Sequence, residues 1–159
     1  MVFDRMLPRV QFAVDALVSE GADLIVVLCG ANWSELKCDR MLVNPGAILP
    51  RLVIALSSGK KLGLVMPTVL QEDSTQRKYH QLGAPDVVAT HITVYKDADL
   101  SGEIQTAADF LVAENVDVIW MPCLGMDDQL RASLQERVGK PTLLAQSMLA
   151  KVVNELIGA

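Results

Sequence analysis

The sequence predicts an α/β fold of two similar, pseudo-symmetric lobes with parallel sheets, the first lobe incomplete. Three observations carry this. Apolar runs of four or five residues alternate with amphipathic stretches of helical period, the pattern of buried parallel strands joined by crossover helices. One segment occurs twice: residues 13–29 and 107–123 align without a gap at an offset of 94 residues. Ala13/Ala107, Asp15/Asp109, Leu17/Leu111, Val18/Val112, Glu20/Glu114, Asp23/Asp117, Ile25/Ile119 and Cys29/Cys123 are identical, eight of seventeen positions. That period is too long for a stacked solenoid and fits two related lobes. Finally, the apolar strand runs are unevenly divided, with one before residue 58 and four after it.

Taken in order, Leu7 to Glu20 places Val10, Val14, Leu17 and Val18 on one face of a helix that Gly21 ends. Leu24 to Leu28 is a continuous apolar run, read as a strand covered on both faces. A polar loop from Gly30 to Asn44 holds Cys38, and Pro45-Gly46 opens a second helix running to Leu56, closed by Ser57-Ser58-Gly59. Leu62 to Met66 is a buried strand stopped by Pro67. Gln71 to Leu82 is a polar helix, Val87 to Val94 a strand, and Ser101 to Asn115 a helix with Ser101 as its cap. Val118 to Met121 is the strand before Pro122-Cys123, and Asp127 or Asp128 caps a helix to Val138. Thr142 to Ala145 is a short strand, and Met148 to Ile157 the closing helix.

At 159 residues the chain holds one ordinary domain or two small lobes. A net charge of −5 and a pI near 4.9 argue against nucleic acid as a partner, which calls for clustered Lys and Arg. No apolar run approaches the eighteen or so residues that span a bilayer, and the N-terminus lacks the apolar core of a signal peptide. Three cysteines, without a C-x-x-C or a nearby histidine, exclude a disulfide scaffold and argue against a metal site. A reducing cytoplasm is the expected location.

Chemistry concentrates at Cys29 and Cys123. Each stands where an apolar strand gives way to a glycine-containing loop, and open parallel sheets bind ligands at the carboxyl ends of their strands. A buried strand-end cysteine is more often inert packing, but the repeat places two at matched positions. Thiolates are soft nucleophiles and serviceable bases. The backbone N–H groups of Gly30-Ala31-Asn32 and Gly125-Met126 suit a carboxylate or a developing oxyanion. Pro67, Thr68 and Gln71 follow another strand end and either reach the same cleft or simply punctuate a turn. Cys38 reads as incidental, His80 and His91 as structural or exposed, and Trp33 as pocket lining or core cover. Ser58-Gly59-Lys60 lacks the first glycine of a phosphate loop, so nucleotide binding has no support.

These stretches together resemble the AroM family within the aspartate/glutamate racemase superfamily. The likeness lies in L-P-R-V-Q at the first helix, E-G-A-D-L-I-V-V-L-C-G-A-N-W around Cys29, I-L-P-R-L-V-I-A-L in the second helix and K-L-G-L-V-M-P-T-V-L-Q at 61–71. It continues in V-D-V-I-W-M-P-C-L-G-M around Cys123 and G-K-P-T-L-L-A-Q-S-M-L-A-K-V-V-N-E-L at the C-terminus. The resemblance implies two lobes about a cleft and a small carboxylate ligand. It also implies racemase or isomerase chemistry without a cofactor, in which one cysteine removes the α-proton and the other returns a proton on the opposite face. Carried over, Cys29 and Cys123 take the catalytic roles, with Gly30, Asn32, Thr68 and Gly125 as substrate-binding candidates. It further implies a strand and an I-G-Q-x-P-R type loop ahead of the first helix, which this sequence does not carry. Gly30-Ala31 and Leu124-Gly125 stand where the amino-acid racemases place Asn-Thr and Thr-His.

The expected organisation is a partial first lobe of residues 1–58 with 146–159 and a complete second lobe of 59–145, in one compact unit. A lone first strand leaves its backbone groups unpaired. The expectation is therefore a homodimer built from residues 1–58 and the closing helix. The competing readings are a non-catalytic ligand-binding or interaction protein on the same fold, and a truncated, inactive relative.

Overall fold

The computed structural model describes residues 2–94 and 100–158. The chain separates into two compact units, Met1–Ile48 and Leu49–Ala159, with the division falling inside a helix.

The first unit opens with α1 (Val2–Ser19), followed by β1 (Leu24–Val26), β2 (Met41–Val43) and the first turn of α2 (Pro45–Leu56). The loop expected to run unbroken from Gly30 to Asn44 thus contains a strand, and the expectation of a lone strand is corrected. β2 pairs in parallel with β1, Ile25 opposite Leu42, and the Val27 N–H donates to the Val43 carbonyl at 3.0 Å. At three residues, Met-Leu-Val is too short for its periodicity to stand out from a polar loop. Only pairing with β1 makes it a strand. Val14, Ile25, Trp33 and Val43 are buried.

The second unit holds β3 (Leu62–Met66), a 3₁₀ turn (Val69–Gln71), α3 (Glu72–Gln81) and β4 (Val87–His91). It continues with α4 (Leu100–Ala113), β5 (Val118–Met121), α5 (Asp128–Val138), β6 (Thr142–Leu144) and α6 (Ala145–Ile157). Its four strands form one parallel sheet in the order β4-β3-β5-β6. β3 lies between two neighbours and is buried at every residue, which is why it reads as an unbroken apolar run. Ile92, Ile104, Leu111, Ile119, Met121 and Leu134 form the core beside it. Trp120 and Tyr79 are buried as well; the Trp120 indole N–H donates to the Tyr79 hydroxyl at 2.5 Å, and burial holds the phenol well above its ordinary pKa, keeping it neutral. Asp127 caps α5 by accepting from the Leu130 N–H at 2.8 Å, as expected. Ser101 falls inside the first turn of α4 rather than at its cap, and the residues before that turn lie outside those described. No helix among the described residues is long and apolar enough to cross a membrane.

The repeat survives as structure. The Gly21 N–H donates to Val18 and that of Ala22 to Leu17, both at 3.0 Å; 94 residues on, Asn115 donates to Val112 at 3.0 Å and Val116 to Leu111 at 3.3 Å. Both helices therefore end in the same left-handed turn, with φ of 90° at Gly21 and 52° at Asn115. Register extends the match: Ile25 faces Leu42 as Ile119 faces Thr142, and each of those partner strands leads directly into a helix. β1-β2-α2 thus answers to β5-β6-α6, with the 30–40 loop in place of α5. Among the described residues, the first unit has no counterpart of β3, α3 or β4. The fold is α/β with two parallel-sheet lobes of unequal size, the first incomplete.

Candidate functional site

Cys29 stands three residues beyond β1, half-buried, and its N–H donates to the Val27 carbonyl at 2.8 Å. The loop after it is fastened to the start of α2. Asn44 donates its amide to the Asn32 side-chain oxygen at 3.0 Å and accepts from the Trp33 N–H at 3.4 Å. Gly46 allows this closeness, because a Cβ there would collide with the Ala31 carbonyl and sit 2.6 Å from the Asn32 nitrogen. Cys29, Gly30 and Asn32 therefore share one anchored loop of the first unit. The Asn32 oxygen is already engaged by Asn44.

Cys123, Thr68 and Gly125 belong to the second unit. Leu64 faces Trp120 and Met66 faces His91, so the carboxyl ends of β3, β4 and β5 come out on one edge. Cys123 lies two residues past β5 on that edge, half-buried, and its sulfur accepts from the Gly125 N–H at 3.4 Å. This N–H is an expected oxyanion donor; in the fold it is directed at the sulfur. Thr68 ends the β3 connection in extended backbone, φ −164°, and its hydroxyl oxygen accepts from the Leu70 N–H at 3.4 Å, capping the 3₁₀ turn. The cap uses an acceptor lone pair and leaves the O–H free to donate.

The same edge carries a pair that sequence reasoning left aside. His91, the last residue of β4, meets Glu72 at the start of α3, Nδ1 to Oε1 at 2.6 Å, and both side chains are about a third exposed or less. A carboxylate on Nδ1 fixes the ring and leaves Nε2 facing away from it. Sequence reading puts His91 inside a strand running from Val87 to Val94, so nothing marks it; the strand in fact ends at His91. Nearby, a cavity of about 280 Å³ is lined by Thr93, Ile104, Gly125, Asp127, Gln129 and Ser133. Cys123 and Thr68 are not among its lining residues. Cys38 borders an open cleft along α1 and accepts from the Arg40 N–H at 3.4 Å. All three cysteines are free thiols, and no cluster of three His, Cys, Asp or Glu side chains suited to a metal is found among the described residues.

Unequal parallel-sheet lobes, an internal repeat and a cysteine after each of two matched strands define a racemase-like α/β protein. The chain belongs to the AroM family: the model of the AroM protein matches residues 2–157. Its fold is similar to those of allantoin racemase from Klebsiella pneumoniae (TM-score 0.64, 15% identity) and glutamate racemase from Aquifex pyrophilus (0.61, 18%). It is also similar to the aspartate racemase of Picrophilus torridus (0.65, 16%). The matches cover 94%, 95% and 96% of this chain but only 65%, 66% and 69% of those proteins. The chain thus spans about two thirds of their length. No curated relative matches it.

Proposed function

We propose that this AroM protein acts on a small carboxylate by cofactor-independent proton transfer between Cys29 and Cys123. One thiolate takes the α-proton, the carboxylate and neighbouring N–H donors take up the resulting negative charge, and the opposite thiol delivers its proton to the other face. The first cysteine ends as a thiol and the second as a thiolate, and exchange with water restores the starting state. The chemistry requires both sulfurs within reach of one carbon, on the order of 6–10 Å apart. The observation that carries the reading is the placement of a cysteine after the same strand in each copy of the repeat, with an N–H aimed at the Cys123 sulfur.

Gly30, Asn32 and Thr68 are assigned to carboxylate binding, and Gly125 to supporting the Cys123 sulfur through its N–H. The structural neighbours support the ligand class, since two of them are named for amino acids with side-chain carboxylates. A cytoplasmic setting suits three free thiols. The lobes are assigned as residues 1–58 with 146–159, and 59–145. A homodimer through residues 1–58 and the closing helix belongs to the same reading, supported by the exposed Phe12, Leu52, Leu56 and Ile157. Sedimentation of a monomer at micromolar concentration would remove that part.

A thiol-labelling experiment tests the site. Iodoacetamide is expected to modify Cys29 and Cys123 in the native protein, with a small dicarboxylate slowing both. Labelling confined to Cys38 overturns the proposal. A second reading, a non-catalytic ligand-binding or interaction protein on the same fold, is favoured by the engagement of the Asn32 side-chain oxygen by Asn44.

A further inference from the structure

The contact between His91 and Glu72 is not what fastens α3 to the second sheet. Gln76, one turn further along the helix, does so by donating its side-chain amide to the Val87 carbonyl at 2.8 Å, and Tyr79 is buried against Trp120. The His91–Glu72 pair stands instead at the carboxyl edge, with the His91 side chain 36% exposed. Glu72 engages Nδ1, and no partner is found for Nε2 among the described residues.

Register places this pair relative to Cys123. β3 runs between β4 and β5, with Met66 opposite His91 and Leu64 opposite Trp120. Pro122 therefore comes level with Met66 and His91, and Cys123 lies one residue beyond. Two strand spacings, about 10 Å, separate the backbones that carry His91 and Cys123. Thr68, two residues past β3, belongs to the stretch of edge between them.

Removing a proton α to a carboxylate sends the C–H electron pair onto the carboxylate oxygens, and that charge is stabilised by donors already fixed in place. Such donors are scarce here. The Gly125 N–H is directed at the Cys123 sulfur. Residues 67–71, 92–94 and 122–127, which follow β3, β4 and β5, include no lysine or arginine. Among the described residues at the ends of these three strands, His91 is the side chain able to carry a positive charge. In the doubly protonated ring both nitrogens donate, Nδ1–H to Glu72 and Nε2–H outward.

We propose that His91, oriented by Glu72, is an electrophilic catalytic residue whose Nε2–H donates to a carboxylate oxygen of the ligand as the α-proton leaves. The ring gives up no proton. The α-proton goes to the thiolate, the C–H electron pair moves onto the carboxylate, and the imidazolium offsets the charge that gathers there. This rests on the proton-transfer reading and adds to it a charged donor supplied by β4 and α3.

The chain has two histidines, so its imidazole signals can be followed singly. In ¹⁵N-labelled protein, with signals assigned through His80→Gln, succinate is expected to shift the His91 ring nitrogens saturably. Exposed His80 should respond only as it does to sodium chloride of equal ionic strength. Succinamide, the uncharged analogue, should shift neither. Deuterium exchange is then measured on whichever of alanine, aspartate, lactate and malate loses its α-proton fastest. His91→Ala should lower kcat about a hundredfold or more while KM rises less than about tenfold, the mark of a donor used mainly in the transition state. His91→Gln, which keeps an uncharged N–H near the Nε2 position, should recover part of the loss. Glu72→Gln should lower kcat about tenfold, the cost of a ring no longer held. Both side chains are partly exposed, and circular dichroism checks that the variants fold. Exchange that persists in His91→Ala yet vanishes in Cys123→Ser overturns this inference alone. A His91 ring unmoved at tens of millimolar succinate overturns it as well. Exchange indifferent to both cysteines, or absent with every compound, overturns the proton-transfer reading and this inference with it.

Discussion

Asp23 and Asp117 occupy the same place in the two copies of the repeat but carry different burdens. Asp117 satisfies the Lys61 N–H at the entry to a buried strand, whereas Asp23 meets a single guanidinium in open solvent. Asp117→Ala should therefore destabilise the protein by about 1–3 kcal/mol, the cost of stranding a part-buried donor. Asp23→Ala should stay within about 0.5 kcal/mol. Urea denaturation of both variants reads the contrast, and equal losses would mean that Asp23 has a buried partner. At this scale the position of each cysteine just past a strand was legible, because the repeat marked it. The His91–Glu72 and Asn44–Asn32 pairs were not. Nineteen residues separate the first pair and twelve the second, and only the folded backbone brings such partners together.

Helices α1 and α4 end alike, yet only α4 lies under a complete sheet. Leu111, fully buried over Gly63, should cost about 2–5 kcal/mol on truncation to alanine. Leu17, at 43% exposure, should cost less than about 1 kcal/mol. Thermal or chemical denaturation of the two variants checks this, and an equal cost would show that the first unit is more fully covered than its exposure indicates. The long, continuous strands were readable element by element: β3 and β5 have the bounds that their apolar runs predicted, because burial on both faces writes itself into sequence as an uninterrupted Val/Leu/Ile run. β2 was not readable, since a three-residue strand is defined by its pairing rather than by its composition. β1 ends at Val26, short of the expected Leu28, because pairing rather than hydrophobicity ends it, and Leu28 is left 78% exposed.

Across the whole molecule, the inequality of the two lobes was visible as an uneven count of apolar runs, and the pseudo-symmetry as a repeat of seventeen residues. The helix-end hydrogen bonds and the β1/β2 register then extended that repeat beyond the identical residues, to elements with no sequence likeness. The chain belongs to the AroM family and shares its fold with racemases of 15–18% identity. The proton-transfer proposal is tested most directly by α-proton exchange. The protein, incubated in D₂O with a panel of small carboxylates bearing an acidic α-C–H, should wash deuterium into at least one of them, followed by the loss of its α-proton NMR signal. Cys29→Ser and Cys123→Ser should each abolish or sharply reduce that exchange while the fold is retained. Exchange that survives both substitutions, or none with any carboxylate of the panel, would contradict a two-cysteine mechanism.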